Sequence, residues 1–273
     1  MAAAQDHQGD LDAVGMTTFR KSRTGAPAGF FATEAAGLRW LTVDDGPRVA
    51  RVVDVGDGHL DLERLAPASP TVGAARTFGT ALARLHDAGA PTFGALPPGA
   101  ERGFFGPLDD PLDMPSGHFV DWPSFHADAR LRPVVAQGRE RGVLDDRDAA
   151  AMEAVCDALP DLAGPAEPPA RLHGDLWSGN VLWTRSHDGG SEAALIDPAA
   201  HGGHRETDLA MLDLFGAPHL DEILAAYDAE HPLSDGRQDR VGLHQLYPLA
   251  VHAVLFGGGY VDRTRHLMAR LGA

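Results

Sequence analysis

Apolar residues recur along this chain with two different periods, and the places where the period changes mark its organisation. Phe31, Glu34, Leu38 and Leu41 fall at i, i+3, i+7 and i+10, the spacing of one helical face. An amphipathic helix is expected there, with one carboxylate on its apolar stripe, and an acid so placed needs a cation. Ahead of it, Phe19-Arg20-Lys21 reads as the end of a short strand running into a Gly/Pro loop over residues 24–29. Behind it, Val49 to Val55 and Leu60 to Leu65 are strand-like runs, and Gly56-Asp57-Gly58 between them carries the Asp-Gly step of a tight hairpin. Residues 1–66 thus read as a small lobe of sheet plus one helix, closed by Pro67 to Pro70.

The remainder, residues 67–273, changes to a mainly helical period. Phe78, Leu82 and Leu85 mark a helix ending near Gly89, and helices are expected at about 125–138 and 145–159. Between them lies Pro91 to Pro123, a Gly- and Pro-rich connection with several aromatics. A connection that long is usually functional, and it is expected to line a cleft. After a Pro-rich break at 165–169 come short strands at Leu172, Val181 to Trp183 and Ala194 to Ile196, with a loop at His173 to Asn180 and a turn at Ser186 to Gly190. From Glu206 the pattern is helical to the end. The class is therefore α+β, a small sheet-plus-helix lobe followed by a larger, mostly helical one.

Composition narrows the function. Lys plus Arg number 23 against 39 for Asp plus Glu, a formal charge of -16, which argues against a nucleic-acid backbone as partner. No stretch reaches the roughly 18 uncharged apolar residues that span a bilayer, and the first ten residues lack a signal-type apolar core, so a cytoplasmic location and no membrane partner are expected. Net charge does not reveal an oligomeric state, and a monomer is the default. Cys156 is the single cysteine, which rules out an intrachain disulfide; it lies in an apolar helical run and reads as a packing residue, with a reactive thiol as the alternative. The 14 histidines include no His-x-x-x-His pair.

The densest chemical signal is His173-Gly174-Asp175-Leu176-Trp177-Ser178-Gly179-Asn180, followed by Ile196-Asp197-Pro198. In phosphoryl transfer one Asp takes the proton of the attacking hydroxyl, an Asn five positions on holds a magnesium ion, and a later Asp holds magnesium too. Asp175 and Asn180 are five apart and Asp197 follows 22 residues after Asp175. Each piece alone would be a turn or a strand end; the order and spacing together give catalytic Asp175 and metal-binding Asn180 and Asp197, with ATP and Mg2+ as the implied cofactors. Lys21 and Glu34 then fit the strand lysine and helix glutamate that grip the ATP phosphates. A solvated lysine and a water-exposed helix acid are the alternatives.

With these residues in view, the chain resembles the fructosamine kinase (ketosamine-3-kinase) family, a branch of the aminoglycoside-phosphotransferase-like kinases of protein-kinase-like fold. The resemblance rests on the unbroken His173 to Asn180 motif with Trp177, on Ile196-Asp197-Pro198-Ala199, and on Gly203-His204-Arg205-Glu206, Asp208 to Met211 and Leu214-Phe215-Gly216; Leu85-His86 agrees more weakly. It implies ATP in the cleft between two lobes, with the backbone of Glu63, Arg64 and Leu65 holding adenine. The implied reaction is phosphorylation of the 3-hydroxyl of a ketosamine, free or protein-bound, which destabilises the sugar adduct and releases the amine. Trp177 is placed to stack on the sugar-amine, with a core role the alternative. Glu206 and Asp208 match positions where an acid could receive the substrate amine, or equally the first turn of a helix, where the dipole favours acids. His173 reads as a structural loop residue rather than an acid or base.

The resemblance is weakest at the start. The family carries two strands and a phosphate-covering loop ahead of the lysine, and only about 20 residues precede Lys21 here, with Gln8-Gly9-Asp10 where the family has Gly-Gly-Asp. An abbreviated glycine-rich cover or a late chain start is expected, and the cysteine redox switch described for some members is absent. A kinase of another small hydroxylated amine, of aminoglycoside or choline type, and an inactive kinase-like binding protein are the competing readings.

Overall fold

The structure, a computed structural model, describes residues 18–272; the Gln8-Gly9-Asp10 step lies outside them. Strand β1 (Thr18–Ser22) opens the small lobe and helix α1 (Phe30–Leu41) follows. Phe31, Leu38 and Leu41 of α1 are buried as their spacing requires, and so is Glu34. The expected strand Val49 to Val55 is two strands, β2 (Arg48–Val49) and β3 (Val52–Gly56), and β4 (His59–Glu63) completes the hairpin through the two-residue turn Asp57-Gly58. Strands β1, β4 and β3 form one antiparallel sheet in that order. Its inner face and α1 enclose Phe30, Phe31, Leu38, Leu60 and Leu62 with Phe104.

The larger lobe begins with α2 (Val72–Asp87), whose N-cap Thr71 accepts a hydrogen bond from the Ala74 amide at 3.2 Å. The long connection then folds back as the hairpin β5 (Gly103–Phe105) and β6 (Leu112–Met114). The helix expected over 125–138 starts earlier: Asp121 caps α3 (Trp122–His126), a π-helical turn covers Ala127–Leu131, and α4 (Arg132–Glu140) continues it. Pro133, which lacks an amide donor, stands at the junction where the π turn ends. Helix α5 (Asp146–Leu162) starts on a capping box between Asp145 and Asp148.

Three short elements carry the loop of interest. Strand β7 (Ala170–Leu172) leads into it, β8 (Val181–Arg185) leaves it, and β9 (Ser191–Leu195) returns antiparallel to β8. Strand β10 (His201–Gly203) pairs back on β7. Helices α6 (Arg205–Phe215), α7 (Leu220–Glu230), α8 (Arg237–Phe256) and α9 (Gly259–Leu271) finish the chain.

The lobes are joined by more than the Pro67 linker. Strand β2, from the small lobe, pairs in parallel with β9 of the large one, Arg48 against Ala194 and Val49 against Leu195. Arg48 ties the seam at its side chains, reaching Glu192 at 2.6 Å and Glu63 at 3.3 Å. Arg171, in β7 just ahead of that loop, donates to the Trp40 carbonyl at the end of α1 at 2.8 Å and stacks on its indole. Beneath this seam a core of Leu41, Phe78, Leu82, Leu85, Leu176, Leu195, Leu209 and Tyr227 supports the loop from below.

Candidate active site

A cleft of ≈590 Å³ runs between the lobes, lined by Lys21, Glu34, Asp175, Trp177, Asn180 and Asp197 together with the apolar Phe19, Ala50, Leu62, Leu182 and Ile196. That volume is ordinary for a small-molecule site. Residues 106–109 of the β5–β6 hairpin line it as well, in keeping with the expectation for the long connection.

Lys21 stands on β1 and Glu34 faces it from α1. The ammonium lies 2.8 and 2.9 Å from the two oxygens of Glu34 and 3.1 Å from Asp197 Oδ1. Burial opposes the charge on Lys21, but the two carboxylates more than compensate and its pKa is raised. Burial also pushes Glu34 upward, against the pull of Lys21. With carboxylates on two sides, the Lys21 ammonium stays charged, and Glu34 is its nearest partner. The cation required by an acid on an apolar stripe is therefore present.

Asp175 sits in the loop after β7. Gly174 before it has φ 81, and a Cβ there would fall 2.2 Å from the Ala199 carbonyl oxygen, so only glycine permits this turn. The Asn180 amide nitrogen donates to Asp175 Oδ2 at 2.9 Å and to the Asp175 carbonyl at 2.8 Å. Burial raises the Asp175 carboxyl to about 7; Asn180 opposes this and Asp197 and Asp208 add to it. Asp197 follows β9 with φ 54, an unusual conformation for a non-glycine residue, and its side chain is 41% exposed toward the cleft. The nitrogen of Asn180 being engaged, its Oδ1 is the atom free to ligate. Asn180 and Asp197 thus offer an all-oxygen donor set, which suits a hard divalent cation such as Mg2+.

The remaining residues fall into place around these. Arg64 and Leu65 leave β4 along the cleft wall, whereas the Glu63 carboxylate turns to Arg48 and to the Arg51 amide. Trp177 lines the cleft with 39% of its surface exposed, which removes the core alternative for it. His173 is fully buried: its Nε2 lies 2.8 Å from the Ile196 carbonyl, its Nδ1 accepts from the Asp175 amide at 3.2 Å, and burial lowers its pKa. It braces the loop and has no face to the substrate. Cys156 is buried in α5 with its thiol pushed up to about 11 by desolvation, which fits a packing residue.

Two expected substrate contacts are corrected. Glu206 and Asp208 do not line the cleft, because the first turn of α6 points them into the protein. Asp208 accepts the His173 amide at 2.7 Å and the Gly174 amide at 2.9 Å, with His86 Nε2 at 3.2 Å. Burial alone would raise its pKa, yet these partners hold it low. Glu206 is paired with Arg240 at 2.6 and 3.0 Å, beside His244 at 3.4 Å. Neither carboxylate can reach a substrate amine. Spacing along the chain gives no role to His86 and Tyr227, whose hydroxyl meets His86 Nδ1 at 2.8 Å and so orients the ring toward Asp208. The Leu85-His86 pair was the available signal.

A lysine-glutamate pair on a strand and helix, a base with an Asn five residues on, and a second Asp at a strand end define a kinase of protein-kinase-like architecture. Solved structures with the same fold include choline kinase LicA from Streptococcus pneumoniae (TM-score 0.56, 14% identity, covering 94% of this chain and 86% of that one). More specifically, the family model for fructosamine kinase matches residues 6–273, and the chain belongs to that family. A fructosamine-3-kinase family protein from Thermobifida fusca superposes with TM-score 0.85 at 42% identity, covering 99% of this chain and 93% of its own. A protein from Lactiplantibacillus plantarum, named as a ketoamine kinase, is 35% identical over 247 residues, 86% of this chain and 80% of that protein. The ketosamine-3-kinase of Mus musculus is 33% identical over 153 residues, 55% of this chain and 47% of the mouse protein. The protein is thus an ATP-using phosphotransferase of the fructosamine kinase type. Among the described residues no helix is long and apolar enough to cross a membrane.

Proposed function

We propose that the enzyme transfers the γ-phosphoryl group of ATP to the 3-hydroxyl of a ketosamine, initiating release of the amine and so acting in deglycation. Adenine would lie against the apolar wall of Ala50, Leu62, Leu182 and Ile196, hydrogen-bonded to the backbone of Glu63 to Leu65. Lys21, oriented by Glu34, would hold the phosphates. Asp175 takes the hydroxyl proton as the sugar oxygen bonds to the γ-phosphorus and the bond to the bridging oxygen breaks, leaving ADP. Asn180 and Asp197 would bind Mg2+, which when present neutralises phosphate charge. The observation that carries this reading is Asp175, half-buried on the cleft wall with its carboxyl raised to about 7 and Asn180 at 2.9 Å, in one cleft with the Lys21–Glu34 pair.

The test is ADP release with ATP and magnesium on ribulose-lysine, fructose-lysine, choline and an aminoglycoside, with Asp175→Asn as the blank. Turnover confined to a ketosamine and lost in the variant is the expected outcome. Turnover of choline or the aminoglycoside alone would replace the substrate class, and ATP binding without any turnover would mark an idle kinase.

A further inference from the structure

Among the described residues, buried side-chain atoms without a hydrogen-bond partner include Arg130 Nε and His126 Nε2, and both residues line the same small cavity. The cavity is enclosed by Trp122, Phe125, Leu172 and Tyr247, and it borders the loop after β7 at Gly174. It shares no lining residue with the cleft between the lobes. Its volume is ≈10 Å³, room for one water-sized atom or ion.

Arg130 is 2% exposed, in a chain whose formal charge is -16, and no carboxylate bonds to it. The buried Arg205 and Arg240, by contrast, are each paired with a glutamate. Arg130 Nη1 donates to the Pro115 carbonyl at 2.7 Å and to the Ala129 carbonyl at 2.8 Å, while the guanidinium lies 4.5 Å from the centre of the Phe125 ring and 5.5 Å from that of Tyr247. These contacts spread the charge without neutralising it. Burial lowers the pKa only to about 10, so the group is a cation at neutral pH. It stands in the π turn Ala127–Leu131, a backbone geometry frequent at functional sites.

The rest of the lining complements a negative charge. No Asp or Glu is among the described residues around the cavity. His126 is fully buried and burial keeps its ring uncharged, so in the Nε2–H tautomer it offers a second donor. His204 Nδ1 accepts the Glu206 amide at 3.2 Å, which places its proton on Nε2 as well. His201 bonds the Ala199 carbonyl through Nδ1 and adds only a ring. Asp208 is spent on the His173 and Gly174 amides.

We propose that this cavity binds one monatomic anion, chloride, between Arg130 Nε and His126 Nε2, and that the ion braces the loop after β7 from behind through Gly174. A water would satisfy the two donors but leave the guanidinium charge unpaired. Sulfate, phosphate and carboxylates exceed the volume. The site goes beyond the reaction proposed above and does not depend on its substrate.

Crystals of the full-length protein grown in sodium bromide are expected to show an anomalous peak in the cavity. In thermal melts at constant ionic strength, replacing sodium gluconate by sodium chloride should raise Tm by about 3 °C once chloride reaches roughly ten times its dissociation constant. Hydrogen exchange in residues 173–180 should slow in step. Arg130→Met removes the charge and keeps the length of the side chain, and it should melt at the same temperature in both salts. His126→Phe keeps the charge and the stacked ring; it should weaken the response, and it decides the matter if Arg130→Met does not fold. Melting indifferent to the exchange of anion, a response that survives Arg130→Met, or a full response in His126→Phe would overturn the site. So would a cavity without anomalous signal, which would then hold water only. A bromide peak with melting and exchange unchanged would mark an adventitious ion only and overturn the brace.

Discussion

The Asp175 carboxyl is under opposing constraints. Burial lifts its pKa from 3.8 to about 7, where a base is strong enough to take a hydroxyl proton yet still half ionised at neutral pH. In the base role proposed for it, Asp175 must be deprotonated, and kcat/KM is expected to climb with pH through about 7 and then level. Asp175→Asn should lower kcat by about 10²–10⁴-fold. The same shift has a cost in stability. The unfolded chain gives up this proton near pH 4 and the folded chain only near 7, so the folded state binds more protons between them and stability falls as pH rises across that window. Asp175→Asn removes the penalty. In the absence of ligands the variant should melt higher than the parent at pH 8, by on the order of 1–2 kcal/mol, and the two should converge near pH 4. Thermal melts at both pH values check this, and a variant that melts lower at pH 8 would contradict it.

Helix α6 shows how one element can serve the site without touching it. Its first turn holds Glu206 and Asp208, and the sequence places acids there for two reasons that it cannot separate: the helix dipole and a substrate amine. Only the packing of α6 decides, since the direction in which a helical turn faces depends on partners distant in sequence. Asp208 anchors two backbone amides of the catalytic loop. Asp208→Ala would leave both buried donors and His86 without an acceptor, about 1–3 kcal/mol for each unsatisfied group. The loop should loosen, with kcat falling at least tenfold and KM for ATP changing less; Asp208→Asn, which keeps one acceptor, should recover part of kcat. If ATP binding is lost as completely as turnover, the residue supports the whole fold rather than the loop. Glu206 instead bonds α6 to α8 through Arg240. Arg240→Ala should cost about 3–5 kcal/mol because it leaves a buried charge, and replacing both residues by apolar ones should cost less; urea unfolding of the three variants reads the difference. The motif from His173 to Asn180 was legible because its residues are local: the permitting Gly174 and the proposed base and metal ligand, Asp175 and Asn180, lie within eight positions. His86 and Tyr227 were not, because they act through a contact spanning 141 positions and carry no spacing signal.

At the scale of the molecule, the order of elements followed from hydrophobic period, hairpin step and proline breaks, and so did the existence of a small and a large lobe. Four strands escaped, two of them the hairpin β5 and β6 inside the Gly- and Pro-rich connection. β10 consists of His201-Gly202-Gly203, and glycine offers no alternating side chains to read. β2 was hidden inside the run Val49 to Val55 because β-propensity does not reveal that a chain changes sheets at Ala50, whose amide bonds to Leu195 at 3.0 Å. That change of sheets alters the meaning of a boundary at Pro67. Arg48 and Val49, ahead of that boundary, complete the sheet whose strands β8 and β9 lie next to Asn180 and Asp197. Arg48 adds ion pairs to both sides of the seam, and Lys21 reaches across the cleft to Asp197. If the small lobe opened alone, β9 would lose a strand partner and the segment from Ile196 to Pro198 its support, so partial unfolding gains little chain entropy for the contacts it breaks. Calorimetry is therefore expected to show one transition, with calorimetric and van't Hoff enthalpies equal, shifted upward as a whole when ATP and magnesium bind the folded state. Two resolved transitions, with ATP moving only one, would mean that β2 is a contact between independent lobes rather than a shared strand.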